Sequence, residues 1–261
     1  MVPRTRARDV GVCLLQMWAY VAAYEMPNDD PARLARRVRI GYPIRVDCAL
    51  GAGTPPGVRL QRVFGRPGSV SRFERVLVWT HWMWFFVPHG TAAYVLLRHP
   101  ERFERTAMLT YAVFDLGVTV YWAVPTAPPW YAAAHGHMEG FDDPPVRRMM
   151  LEYGEQFWRQ RWAGLYDALA GNPLAAMPSL HFATSVMAAH LLTEVGPVQG
   201  ALGWTYALTL GLALVYLGEH YVADLLGGLA LTEGVRAAAP VVAPLVRRIA
   251  AGMQALEARA A

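Results

Sequence analysis

The chain has 261 residues, of which 54% are hydrophobic and only 17% charged, with a mean hydropathy of +0.20. This composition excludes an ordinary soluble domain and fits one small polytopic membrane bundle. The net charge is +4, and all 24 basic residues are arginine; such an excess is first a topology signal, and no basic stripe interleaved with aromatics points to a nucleic-acid partner.

Arg4, Arg6 and Arg8 precede an apolar run from Val10 to Tyr24. No clear small-x-small cleavage site stands before Pro27, so an uncleaved first span is expected rather than a signal peptide. Residues 27–74 do not read as a span. Asp30-Pro31 is a helix start, a short basic helix should run through Arg39, and another should cover Val58 to Phe64. Their arginines suggest helices lying on the membrane surface. A second span is expected over Val76–Leu97 and a third over Thr106–Val124, ending at Pro125-Thr126-Ala127-Pro128-Pro129-Trp130. Asp115 inside the third span should face protein rather than lipid.

Residues 131–175 form the longest polar connection, with a helix expected over 145–170 and with Trp158 and Trp162 at the membrane interface. Spans four to six follow at about 178–195, 200–217 and 220–238, where the length matches a bilayer core. The expected fold is therefore all-α, a bundle of about six transmembrane helices. Residues 1–70 supply the first span and the interfacial helices, 71–238 the catalytic bundle and 239–261 a basic, alanine-rich tail. Cys13 and Cys48 are the only cysteines, too few for a disulfide framework or a cysteine metal cluster.

Two short segments carry the chemistry. Met177-Pro178-Ser179-Leu180-His181 and Gly218-Glu219-His220-Tyr221-Val222-Ala223-Asp224 each sit where an apolar helix meets a polar loop. One out-and-back apolar pass lies between them, so His181, His220 and Asp224 arrive at the same membrane face. Pro178 suits a first helical turn whose free amides favour an anion, and Ser179 adds a hydroxyl donor. Taken alone, Pro-Ser-x-His reads as a structural histidine at a helix start. His220 and Asp224, four apart on one helix face, read alone as a stabilising pair. Together, an aspartate that fixes one imidazole tautomer and a second histidine beside it read as a reaction centre.

Ala176–Phe182 and Gly218–Gly228 resemble the second and third motifs of the type-2 phosphatidic acid phosphatase superfamily. Pro125–Trp130 resembles the counterpart region of its inositolphosphotransferase branch, which includes the fungal inositol phosphorylceramide synthases. The resemblance implies that His220 attacks phosphorus and forms a phosphohistidine, that Asp224 orients it, and that His181 protonates the leaving oxygen. It implies no metal and no cofactor, and a phospholipid or polyprenyl-phosphate-type substrate. Pro128 and Trp130 fall in the branch's substrate region. The superfamily's phosphatases carry a Ser-Arg pair where this chain has Ala213 and Leu214, and a Lys-x6-Arg-Pro motif whose counterpart here has no basic residue. Phosphoryl charge must then be met elsewhere, and Arg147, Arg148, Arg159 and Arg161 are the candidates on the correct face.

The function expected is a lipid phosphatase or phosphotransferase, and the branch resemblance favours transfer of a phosphoinositol-type head group. The rivals are a catalytically inactive lipid-binding or transport protein, and a metal-dependent hydrolase built on His135 and His137 near Asp142 and Asp143. His81 and His89 are expected to satisfy interior hydrogen bonds or line the substrate cleft. Basic Arg98, Arg102, Arg105, Arg236, Arg247 and Arg248 lie opposite the histidines. The positive-inside rule therefore puts the active site on the extracytoplasmic side of the cell membrane.

Overall fold

A computed structural model describes residues 5–66, 68–141, 145–162, 164 and 172–260. α1 (Arg6–Glu25) is followed by three short helices, α2 (Pro31–Arg37), α3 (Gly41–Leu50) and α4 (Pro56–Phe64). Then come α5 (Arg72–Trp82), a 3-10 turn over Met83–Phe85, α6 (Val87–Arg98) and α7 (Pro100–Ala123). A proline-rich strap leads into α8 (Pro129–Ala134), with α9 (Met149–Trp158) beyond it. The chain closes with α10 (Leu180–Val195), α11 (Pro197–Tyr216) and α12 (Val222–Ala260). Among the described residues no strand forms, and the fold is all-α as expected.

α10 is apolar all round, which suits a helix enclosed by others. It buries Ala183, Val186, Met187, Ala189 and Leu191 and packs on α6, α7, α11 and α12. One core joins Tyr20, Val113, Phe114, Met187 and Val235 from α1, α7, α10 and α12. A second joins Leu77, Val78, Met149, Tyr153, Ala213 and Tyr216 from α5, α9 and α11. Between α7 and α8 the strap stays extended, because prolines 125, 128 and 129 cannot continue a helix. Its backbone is gripped from both sides: Arg39 N–H donates to Pro125 (2.8 Å) and Ala127 N–H to Arg39 (3.0 Å), while Thr126 N–H donates to Leu174 (2.8 Å) and Ala176 N–H to Thr126 (3.1 Å). The strap thus ties the N-terminal segment to the chain entering Ala176–Phe182.

Several expectations change. The second expected span is two helices, broken at Met83–Phe85, with Pro88 in the first turn of α6. Of the six expected spans, Pro197–Tyr216 and Val222–Leu256 are long and apolar enough to cross a membrane. α10 has only 16 residues, and α7 carries Glu101, Arg102, Glu104, Arg105 and Asp115. Asp115 is exposed, and its carboxylate faces α1, with both oxygens accepting from Gln16 (2.7 and 2.9 Å). The expected helix over 145–170 is seen as α9, and part of its remainder lies outside the described residues. Trp162 is buried against Trp82. Residues 239–260 continue α12 through Pro240 and Pro244 rather than forming a separate tail.

Candidate active site

The two motifs meet backbone to backbone. Ser179 caps α10, its Oγ accepting from Phe182 N–H at 3.3 Å, and its own N–H donates to the carbonyl of Asp224 at 2.9 Å. Ser179 is fully buried in this capping role, so the expected open hydroxyl at a free anion site is not what the structure has. The approach is possible because α12 presents glycine here: a Cβ on Gly228 would stand 2.6 Å from the Ser179 carbonyl oxygen. At the other motif Gly218 turns the chain with φ +81°, a left-handed conformation that favours glycine. Its carbonyl accepts from Trp130 N–H at 3.2 Å. That bond fixes the Pro128–Trp130 corner two residues before His220.

The three predicted catalytic side chains are brought together in a relay. His220 Nδ1 lies 3.3 Å from Asp224 Oδ2, and His220 Nε2 lies 3.4 Å from His181 Nδ1. Asp224 is wholly buried; its Oδ2 also accepts from Tyr221 N–H at 2.9 Å, while Oδ1 has no partner among the described residues. His181 is walled by Trp84 and His81, with ring centroids at 4.2 and 4.8 Å. Trp84 is held in place through its indole N–H, which donates to Thr184 Oγ1 at 2.8 Å.

Asp47 was not anticipated. From α3 its carboxylate accepts from Val222 N–H (3.0 Å) and Ala223 N–H (2.9 Å), the first amides of the helix that carries Asp224. A buried carboxylate at a helix N-terminus satisfies donors that have no intrahelical partner. Burial pushes the Asp47 carboxyl above its usual range; the two amides oppose this, and the nearby Asp224 charge adds to it. No local pattern marks Asp47, because its partners lie 175 and 176 residues away.

The family profile of the PAP2 superfamily matches residues 60–238. The chain belongs to this superfamily. It is similar to an inositol phosphorylceramide synthase of Candida albicans, with 30% identity over 154 residues, which cover 57% of this chain and 32% of that protein. It also resembles the inositol phosphorylceramide synthase catalytic subunit aur1 of Schizosaccharomyces pombe, with 28% identity over 122 residues, 44% of this chain and 27% of that protein. The chain therefore spans about a third of the length of the curated relatives it matches. No solved structure matches.

Within this PAP2-superfamily chain the four candidate arginines have different places. Arg148 stands over the Trp130 ring, 3.8 Å from its centroid, and pairs with Glu219, next to His220, at 3.0 Å. Arg147 points away from the relay. It binds Glu152 (Nε to Oε1, 3.0 Å), approaches the buried Glu74 at 3.7 Å, and donates to the carbonyls of Arg66 and Ser69. Gln61 locks its backbone from both sides. Arg147 is thus a latch between α5, α9 and the loop before α5. Arg159 and Arg161 are exposed on a 3-10 turn after α9, and no described contact brings either to the relay.

His135 stacks on Tyr131 at 3.9 Å, His137 is exposed, and Asp142 and Asp143 lie outside the described residues. Among the described residues no three His, Cys, Asp or Glu side chains gather as a metal site. His89 stacks on Phe114 at 5.7 Å, away from the relay, whereas His81 lies in its wall.

Proposed function

We propose that this chain is an integral-membrane enzyme that breaks a phosphoester or pyrophosphate bond of a membrane lipid through a phosphohistidine on His220. The observation that carries this reading is the Asp224–His220–His181 relay at 3.3 and 3.4 Å, built from the two motifs of a PAP2-superfamily chain. Asp224 accepts a hydrogen bond from His220 Nδ1–H, which holds the tautomer that leaves Nε2 with a free lone pair. Nε2 attacks phosphorus as the bond to the leaving oxygen breaks, and protonated His181 gives that oxygen its proton. In the second half His181 takes a proton from water or an acceptor alcohol. The resulting oxygen attacks phosphorus, the P–N bond breaks, and His220 is released. A 3.4 Å contact between the two rings leaves no room for phosphorus on Nε2, so the substrate enters by parting this pair. Arg148, seated on Trp130, meets the phosphoryl charge. None of these steps routes through a metal.

Similarity to inositol phosphorylceramide synthases favours transfer of a phosphoinositol-type head group over hydrolysis. Membrane residence is supported by the two apolar helices of spanning length, and arginine placement favours an extracytoplasmic site in the cell membrane. The test is turnover by purified protein in EDTA, first with a short-chain lipid phosphate and then with labelled phosphatidylinositol and candidate acceptor alcohols. Turnover in EDTA supports the reading. Loss in EDTA with recovery on added metal points to a metal hydrolase, and inertness throughout points to a lipid-binding protein.

A further inference from the structure

We infer that His81 is a third histidine of the reaction centre, and that its Nδ1 binds a non-bridging oxygen of the phosphoryl group held at His220; this rests on the function proposed above. The side chain lies at the end of α5, 5% exposed, and its Nδ1 is buried with no hydrogen-bond partner among the described residues. A buried polar atom left unpaired is destabilising, so a position that keeps one calls for an explanation. The surroundings supply it. The ring of His81 faces that of His181 at 4.8 Å, and it lies within electrostatic reach of His220, Glu219 and Arg148. These are the groups that would surround a phosphoryl oxygen. The wall itself is held: the carbonyl of the preceding Thr80 accepts from Tyr206 Oη at 3.0 Å, and the following Trp82 packs on Tyr153 and Trp162. A donor fixed before the charge develops needs no reorganisation during reaction, which is the arrangement that stabilises a transition state most.

The probe is inorganic orthovanadate, a phosphoryl mimic, measured both as an inhibitor of turnover and by the protection it gives against thermal unfolding. The variants are His81→Phe, which keeps the ring and loses the donor, His81→Asn, whose amide reaches the Nδ1 position, and His81→Gln, whose amide reaches the Nε2 position. Vanadate should bind about tenfold or more weakly to the Phe variant, the worth of one hydrogen bond to a charged group. Turnover should fall about 100-fold. The Asn variant should retain vanadate affinity and the Gln variant should lose it. Vanadate affinity within twofold of wild type in His81→Phe would overturn the proposal. Should the Phe variant fail to fold, equal vanadate affinity in the Asn and Gln variants overturns it instead. Wild-type protein that neither turns over lipid phosphate nor binds vanadate defeats the proposed function itself, a result distinct from a silent His81.

Discussion

Replacing Arg147 and Arg148 one at a time by glutamine should separate folding from catalysis. Arg147 ties Glu152, Glu74 and two backbone carbonyls, and the Glu74 side chain is only 1% exposed. Breaking a buried ion pair costs about 3–5 kcal/mol when the partner keeps its charge. Glu74 retains the Tyr216 hydroxyl and the Ser71 N–H, so the lower end of that range applies. Arg147→Gln should lower the unfolding temperature by several degrees and leave the rate per folded molecule near wild type. Arg148→Gln should lose about 10²–10³ in rate per folded molecule through the phosphoryl charge left unmet. Because it also strips Glu219 of a partner, the double variant Arg148→Gln/Glu219→Gln is the cleaner test. That pair should regain stability without regaining rate, whereas Glu219→Gln alone should stay active. The assay is lipid-phosphate turnover beside thermal unfolding in the same detergent. A fully active double variant, or an Arg147→Gln protein that loses rate per folded molecule at unchanged stability, refutes the assignment.

His220→Ala should abolish both turnover and acid-quenched phosphohistidine labelling, while His181→Ala should suffer most with poor leaving groups and least with activated phenolates. Asp224→Asn should be intermediate to severe, since the tautomer is no longer held; robust labelling of His220→Ala contradicts these roles. Gly228→Ala puts a methyl group 2.6 Å from the Ser179 carbonyl oxygen, whereas Gly234→Ala meets nothing within 4 Å. Displacing the motifs by about 1 Å should cost about 10²-fold in rate, with the Gly234 variant as the unaffected control; equal rates in the two would show the contact to be irrelevant. The folded protein holds the Asp47 proton more tightly than the unfolded chain does. Its contribution to stability is therefore full below the ordinary aspartate range near pH ~4 and is lost as pH rises through the raised value. Asp47→Asn should flatten that part of a thermal-unfolding profile against pH, and an unchanged slope argues against the shift. With Cys13 and Cys48 replaced by serine, a cysteine at Gly136 should react with an impermeant thiol reagent in intact cells, and protection there reverses the proposed orientation.

What the amino-acid sequence determined by itself was the pairing of the motifs. The apolar runs after His181 and before His220 leave one compact route, out and back, and the i, i+4 spacing of His220 and Asp224 needs no tertiary information. The break at Met83–Phe85 was also open to reading, since Pro88 stands inside the supposed span. Tertiary structure alone decided the rest, because the deciding contacts join residues far apart in the chain. Asp47 reaches the amides of Val222 and Ala223 across 175 and 176 positions, and Trp84 reaches Thr184 across 100. Arg147 and Arg148 are adjacent and of one type, so nothing local distinguishes them. Their side chains leave the N-terminal edge of α9 in different directions, one toward Glu74 and Glu152 and the other toward Trp130 and Glu219. The order of residues shows which charges exist, but which charge faces the relay depends on the packing of α5, α9 and the strap around it.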